Sequence, residues 1–113
     1  DDGICVLAHG TGTVLNDAVE GEILAATVPH ALAITAFKSR IGHLAAACGS
    51  AELTLGLICA AQGQFPGIAG LENPCRDDLP LLREPRLLRR GSLLLLSFGV
   101  GGQYACLGVR PLI

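Results

Sequence analysis

A chain of 113 residues, half of them apolar, 4% aromatic and with a formal net charge of −2, has room for one layered domain at most. The weakly acidic balance and the scarcity of aromatic residues argue against nucleic-acid binding, which needs a basic and aromatic surface. The mean hydropathy of +0.53 is high for a free-standing domain, so we expect another subunit, or more of a longer chain, to cover apolar surface. The lack of any methionine predicts that the chain is a processed or truncated piece.

The first part of the chain predicts a strand, a helix and a second strand. Residues 4–8 form a short apolar run that is typical of a buried strand. Asn16 or Asp17 can cap a helix whose body covers residues 18–27. Residues 31–35 then predict a second buried strand, which leads into the stretch KSRIGH.

The second part predicts a long helix, an irregular stretch and a hairpin. The Ala- and Leu-rich residues 44–61 predict a buried helix, and Glu52 near its middle would be costly in lipid, so we expect no membrane span. Residues 66–92 carry four of the six prolines and predict an irregular segment that can include a short strand. Residues 92–98 and 103–109 predict two strands joined by a glycine turn, in an antiparallel hairpin.

This order of elements predicts an α/β domain with a mixed sheet covered by helices. Three glycine-bearing loops follow its strands, and loops at one end of the strands commonly form the functional site in such sheets. The first, AHGTGT, lacks the third glycine of a dinucleotide-binding loop and the lysine of a phosphate-binding loop, so the nucleotide interpretation is weak.

The five cysteines are odd in number and have no C-x-x-C spacing. Cys5, Cys59 and Cys106 lie in apolar runs, which predicts buried free thiols and a reducing, cytoplasmic location. A disulfide framework or a zinc site is not expected, and we predict no metal ligands.

The single lysine and two of the three histidines lie in the first two loops, as Lys38, His9 and His43. A lone histidine is more often a structural hydrogen-bonding residue than a catalyst. Two imidazoles that converge on one point, however, can donate N–H groups to an oxygen that acquires negative charge. A nearby ammonium group would keep the pair neutral.

Two further features can belong to the same site. A carboxylate on an apolar helix needs a partner, and Lys38 or a loop amide is the candidate for Glu52; an exposed Glu52 is about equally compatible with the sequence. The turn GVGG at residues 99–102 can point backbone N–H groups into a cavity, although by itself it is more typical of a simple hairpin bend.

The motifs AHGTGTxxND, KSxIGHLxAAxG and SFGxGG, in this order and at these separations, resemble the C-terminal half of the β-ketoacyl synthases. These are the condensing enzymes of fatty-acid and polyketide synthesis, with a thiolase-like fold. The segment QGQFPGIAGLENP at residues 62–74 also looks like the family's sequence after its long helix. The resemblance covers almost the whole chain.

The resemblance implies a decarboxylative Claisen condensation of malonyl-carrier protein with an acyl group held on a cysteine. His9 and His43 would hydrogen-bond to the enolate oxygen, Lys38 would order the site, and Glu52 would be the helix carboxylate. The partners it implies are the N-terminal half with the nucleophilic cysteine, acyl carrier protein, and a second subunit in a homo- or heterodimer. No cofactor is implied beyond the 4'-phosphopantetheine arm of the carrier protein.

The resemblance also implies residues that contact the substrate. Thr11 and Thr13 would contact the pantetheine arm, Phe98 and Gly99 would line the substrate site, and the backbone N–H of Val100 would supply half of an oxyanion hole.

The chain departs from the family at a few places. No cysteine has the context of the nucleophile, Val100 replaces the usual Phe, and Gln103-Tyr104 replaces the usual Thr-Asn. We therefore expect this piece to be inactive alone. A non-catalytic partner subunit of a heterodimer is the alternative, and a free-standing ligand-binding domain is a third possibility.

Overall fold

The computed structural model describes residues 3–88, 91–99 and 103–110. Within these ranges the chain forms six strands and three α-helices, which include the predicted strand, helix, strand, long helix and hairpin in that order. In chain order they are β1 Ile4–Leu7, α1 Val14–Thr27, β2 Ala33–Thr35, α2 Lys38–Ile41, α3 Cys48–Gln62, β3 Gln64–Phe65, β4 Arg86–Leu87, β5 Ser92–Phe98 and β6 Tyr104–Val109.

Four strands form a mixed sheet in the order β2-β1-β5-β6. The central strand β1 is parallel to both β2 and β5, whereas β5 and β6 form an antiparallel hairpin in which Phe98 lies opposite Tyr104. The predictions of a mixed sheet and of an antiparallel hairpin are confirmed. Because β1, β2 and β5 run in the same direction, their carboxyl ends lie at one edge of the sheet.

The two faces of the sheet are covered by different helices, because successive side chains of a strand point to opposite faces. Cys5 and Leu7 of β1 pack in the core on the side of α3, together with Leu93 and Leu95 of β5. Val6 packs on the other face in a second cluster that includes Leu24 of α1. The loops that follow these strands therefore start from a sheet that is packed on both faces.

The loop regions differ from the sequence prediction in three places. Helix α1 begins at Val14 after Thr13, and Asp17 does not cap it but accepts the Gly12 N–H from inside the helix at 3.3 Å. Lys38 begins a short helix, α2, that the sequence did not predict and that ends at Gly42 with a φ of 79°. The irregular segment does include a short strand, β4, and it pairs with the unpredicted β3.

The long helix begins later than predicted, at Cys48, after a 3-10 turn at Ala45–Ala47. Ala45 has a φ of 52°, a conformation that a residue with a side chain rarely adopts. Its N–H donates to His43 Nδ1 at 3.0 Å instead of entering a helical hydrogen bond. A side-chain acceptor thus delays the start of the helix by four residues relative to the predicted residue 44.

The prediction that Cys106 is buried is wrong. Cys5 is buried and Cys59 is half-buried, as their apolar neighbours predict, but Cys106 is exposed. It lies on β6, which is the edge strand of the sheet, and an apolar run at an edge has a neighbouring strand on one side only.

Several large apolar side chains remain exposed on α1, α3 and β6. They include Val14, Leu15, Val19, Ile23, Leu57, Ile58 and Leu107. The stretch Ala45–Gln62, 17% of it buried, is also long and apolar enough to cross a membrane by length and composition alone. Such a stretch is equally typical of a core helix whose outer face is covered by more protein.

Candidate active site

The site is assembled from residues that follow the three parallel strands. His9 comes two residues after β1, Lys38 three residues after β2, and Phe98 is the last residue of β5. Their common strand direction brings all three to the same edge of the sheet. Helix α3 adds Glu52 from one face, and the loop between α2 and the 3-10 turn adds His43.

His9 is 4% exposed, and its ring is held through Nδ1. Lys38 Nζ lies 3.2 Å from this nitrogen, and the backbone N–H of Phe98 donates to it at 3.4 Å. An ammonium group has only donors, so Nδ1 must accept, and the neutral ring carries its proton on Nε2. The burial of His9 and the charge of Lys38, followed by the neighbouring His43, lower the pKa of His9 to about 4. The ring is therefore neutral at physiological pH.

The backbone at His9 is held by a buried carboxylate. Glu20 of α1 accepts the N–H of His9 at 2.7 Å and the N–H of Gly10 at 2.9 Å, one on each oxygen. Burial raises the pKa of Glu20, and the hydrogen bonds from the two backbone N–H groups oppose that effect. Glu20 was not among the predicted site residues, although its spacing from the buried Leu24 places it on the inner face of α1.

Lys38 and Glu52 form a buried ion pair, with Nζ 2.7 Å from Oε2. Glu52 is 1% exposed, so its carboxylate has exchanged water for the ammonium group. The predicted pairing of these two residues is confirmed, and the alternative of an exposed Glu52 is wrong. The same ammonium contacts Glu52 and His9, and so it connects α3 to the imidazole.

His43 lies on the exposed side of the site and is also held through Nδ1. The N–H of Ala45 donates to it at 3.0 Å, and Cys48 Sγ lies 3.4 Å from the same nitrogen. A backbone N–H can only donate, so the neutral His43 ring also carries its proton on Nε2. Cys48 is buried, and its thiol contacts this imidazole.

The two imidazole rings lie side by side, as the sequence predicts. Their centroids are 5.6 Å apart, and the rings are nearly perpendicular, with an interplanar angle of 89°. With both Nδ1 atoms occupied, each neutral ring retains Nε2–H as its available donor. Two preorganised donors at this separation can share one oxygen that acquires negative charge.

The remaining predicted residues lie in two groups. Thr11 and Thr13 lie on the loop after β1, with their hydroxyl oxygens 2.8 Å apart. The Phe98 ring lies 5.3 Å from the His9 ring, and Gly99 follows it at the exposed end of β5. Val100 lies outside the described residues. No group of three or more His, Cys, Asp or Glu side chains that could hold a metal ion occurs among residues 3–88, 91–99 and 103–110.

A cavity of about 470 Å³ lies beside α1, under residues 68–81. Its wall includes Gly10 and Lys38 but neither histidine. Three acids line this wall, Asp17, Glu20 and Glu72, and the buried one, Glu20, is already bonded to backbone N–H groups. The cavity is therefore separate from the pair of imidazoles, and we assign no ligand to it.

The chain shows clear similarity to known proteins. A family model described as the beta-ketoacyl synthase C-terminal domain matches residues 4–72. The chain is 47% identical over 113 residues to one of the phenolphthiocerol/phthiocerol polyketide synthase proteins of Mycobacterium tuberculosis, covering 88% of this chain and 7% of that protein. It is 33% identical over 100 residues to 3-oxoacyl-[acyl-carrier-protein] synthase 2 of Coxiella burnetii, covering 84% of this chain and 24% of that protein.

Solved structures show the same similarity in three dimensions. An oxazolomycin ketosynthase domain from Streptomyces albus superposes with a TM-score of 0.81 at 27% identity, covering 96% of this chain and 22% of that one. Ketosynthase twelve of the bacillaene synthase from Bacillus amyloliquefaciens gives the same TM-score at 23% identity, covering 94% of this chain and 22% of that one. The chain therefore spans about a quarter or less of the length of these relatives. It belongs to the β-ketoacyl synthase family, has their thiolase-like α/β fold, and corresponds to the C-terminal domain of these condensing enzymes.

Proposed function

We propose that this chain supplies the two-histidine and lysine part of the active site for decarboxylative Claisen condensation of malonyl-acyl carrier protein with an acyl thioester. The observation that carries the proposal is the pair of imidazoles 5.6 Å apart, each held through Nδ1 by a donor. Relatives named polyketide synthases and a 3-oxoacyl-[acyl-carrier-protein] synthase support a place in polyketide or fatty-acid synthesis.

The proposed chemistry begins with loss of carbon dioxide from the malonyl thioester. The electron pair of the broken C–C bond becomes an enolate, whose negative charge develops on the thioester oxygen. The Nε2–H groups of His9 and His43 donate to that oxygen, and because they are already oriented, little reorganisation is needed as the charge forms. The enolate carbon then attacks the acyl thioester and expels the cysteine thiolate.

Lys38 acts in this proposal by keeping His9 neutral and oriented. An ammonium group beside Nδ1 makes protonation of that nitrogen unfavourable, in agreement with the low pKa of His9. Glu52 compensates the charge of Lys38, so that the pair adds no net charge to the site. A neutral His9 can still donate from Nε2 without attracting the carboxylate of the malonyl group away from its reactive position.

The substrate contacts are part of the same proposal. Thr11 and Thr13 are exposed or half-exposed hydroxyls beside His9, suited to the amide groups of a pantetheine arm. Phe98 borders His9 and Gly99 follows it in the chain, and the N–H of Val100 would complete an oxyanion hole with the N–H of the nucleophile. Acyl carrier protein is then the partner that delivers the substrate, and no free cofactor takes part.

We further propose that the chain is inactive alone and works with an N-terminal ketosynthase half in a dimer. Condensation through an acyl-enzyme needs an accessible thiolate, and the thiol nearest the histidines, Cys48, is buried. The exposed apolar residues of α1 and α3 support coverage by more protein. Five free thiols fit the reducing cytoplasm.

The test is carbon dioxide release from malonyl-carrier protein by a complete ketosynthase that contains this chain. We expect His9→Ala and His43→Ala each to lower the rate on the order of 10²-fold or more, since each removes one donor to the oxyanion. His30→Ala is the matched control, because His30 is exposed in the turn after α1. Unchanged release by both site variants would refute the proposal.

A non-catalytic partner subunit is the second candidate, and the replacements Val100 and Tyr104 favour it. The residue at the nucleophile position of the N-terminal half distinguishes the two functions. A cysteine there supports the condensing enzyme, and any other residue supports the partner subunit.

A further inference from the structure

Four rings form a continuous row from the site to the sheet edge. The His43 and His9 centroids are 5.6 Å apart, those of His9 and Phe98 5.3 Å, and those of Phe98 and Tyr104 5.2 Å. Tyr104 ends the row and is 74% exposed.

The hairpin places Tyr104 against Phe98. The two residues lie directly opposite each other in the β5–β6 register, and directly opposed side chains lie on the same face of a sheet. The N–H of Gly99 donates to the carbonyl of Gln103 at 2.5 Å and closes the ladder next to this pair. The rings meet at an interplanar angle of 89°, the edge-to-face arrangement that aromatic pairs prefer.

Phe98 acts on His9 in two ways. Its ring lies on the imidazole with an interplanar angle of 43°, and its backbone N–H donates to Nδ1 at 3.4 Å. That distance is long for a hydrogen bond, so a small displacement of Phe98 would break it. Whatever holds Phe98 in place therefore also determines how well His9 is held and shielded from water.

We propose that Tyr104 is a positioning residue that holds Phe98 against His9. It thereby shields the imidazole from water and keeps it oriented. The catalytic importance of this role rests on the proposed function. The effect of the Tyr104 ring on His9 can be tested without measuring turnover. The proposal assigns a role to the ring of Tyr104 and not to its hydroxyl group.

The proposal predicts the direction in which His9 titrates when Tyr104 is lost. The charged or titratable groups around His9 are Lys38 of α2, Glu20 of α1, Glu52 of α3 through the lysine, and His43. None of them lies on β6, so removing the Tyr104 ring changes hydration and leaves these charges in place. Burial is the first cause of the low His9 pKa, and water entering beside Phe98 would raise that pKa.

The experiment measures the His9 pKa by NMR of labelled histidine in a complete ketosynthase that contains this chain. We expect Tyr104→Ala and Tyr104→Leu to raise it by about one pH unit, because both remove the ring. Tyr104→Phe keeps the ring and should retain the original value. Leu107→Ala is the matched control, since Leu107 is also exposed on β6 but lies on the opposite face.

The kinetic readout is the pH dependence of malonyl decarboxylation. The acid limb should move to higher pH in Tyr104→Ala and Tyr104→Leu and stay in place in Tyr104→Phe. An unchanged His9 pKa in both ring-deleted variants would overturn the proposal, and so would a Tyr104→Phe variant that behaves like Tyr104→Ala. The proposed function fails separately, if His9→Ala leaves decarboxylation unchanged while the pKa of His9 still responds to Tyr104.

Discussion

Lys38 and Glu52 meet 2.7 Å apart in the interior, and the same ammonium lies 3.2 Å from His9 Nδ1. A charge in this position is tolerated because it is paired, and it is useful because it disfavours a second proton on the imidazole. The ion pair therefore links the stability of the domain to the protonation state of its candidate catalytic histidine.

Glu52→Gln should destabilise the protein strongly. It leaves the Lys38 ammonium buried without its counter-charge, which typically costs about 3–5 kcal/mol when one partner of a buried pair is removed. The measurement is the thermal unfolding midpoint, and Asp78→Asn is the control, because Asp78 forms an exposed pair with Arg76. Equal midpoints for the two variants would contradict this interpretation of the buried pair.

Gly56→Ala should destabilise the packing of α3 on the sheet. An added Cβ would lie 2.4 Å from Leu7 Cδ1, and Leu7 is fully buried, so we expect a loss of about 1–3 kcal/mol from overpacking. Gly49→Ala in the same helix is the control, since its Cβ would meet nothing within 4 Å. Alanine there should be neutral or stabilising by up to about 1 kcal/mol. Chemical denaturation measures both variants, and equal stabilities of Gly56→Ala and Gly49→Ala would contradict the close packing of Gly56 against Leu7.

The stability of the protein should fall as pH decreases through the range in which His9 titrates. The pKa of His9 is about 4 in the fold and near 6.5 when unfolded, so between these values the unfolded state binds more protons. One such proton lowers the unfolding free energy by up to about 1.4 kcal/mol per pH unit. The raised pKa of Glu20 acts in the opposite direction.

A comparison with His9→Gln isolates the histidine contribution, because Glu20 is present in both proteins. The difference in unfolding midpoint between the native protein and His9→Gln should change between pH 7 and pH 5, to the disadvantage of the native protein. A difference that is independent of pH would show that His9 titrates normally in the fold.

The cysteines should differ sharply in reactivity. Burial raises the pKa of Cys5 to about 12, so almost no thiolate is available there, whereas Cys75 and Cys106 are exposed. Brief treatment of the folded chain with iodoacetamide should label Cys75 and Cys106 and leave Cys5 unmodified, as measured by mass spectrometry of peptides. Labelling of Cys5 as fast as Cys75 would mean that β1 is not the buried central strand.

The sequence predicted the parts of the fold and site that depend on local pattern. The strands at the start of the chain and in the hairpin follow from apolar runs next to glycine loops, and the meeting of His9 with Lys38 follows from parallel strands that end at one edge. The pairing of Glu52 with Lys38 follows from the need of a buried acid for a partner.

The parts that were missed depend on contacts between side chains and backbone that no pattern encodes. His43 accepts the N–H of Ala45, and α3 therefore begins later than predicted. Asp17 accepts the N–H of Gly12 from a position inside α1, which therefore begins earlier than predicted. The burial of Cys106 was wrong because sequence does not reveal which strand is at an edge. Tyr104 was noted only as a departure from the family, because its contact with Phe98 depends on the hairpin register.

The most direct test of the central claim is the protonation state of the two histidines in a complete ketosynthase that contains this chain. Nitrogen NMR of labelled histidine at pH 7 should show His9 as a neutral ring, and the proton of the neutral ring on Nε2 in both His9 and His43, because donors occupy both Nδ1 atoms. An imidazolium at His9, or a neutral ring with its proton on Nδ1 at either residue, would contradict the account of two donors that share one oxyanion.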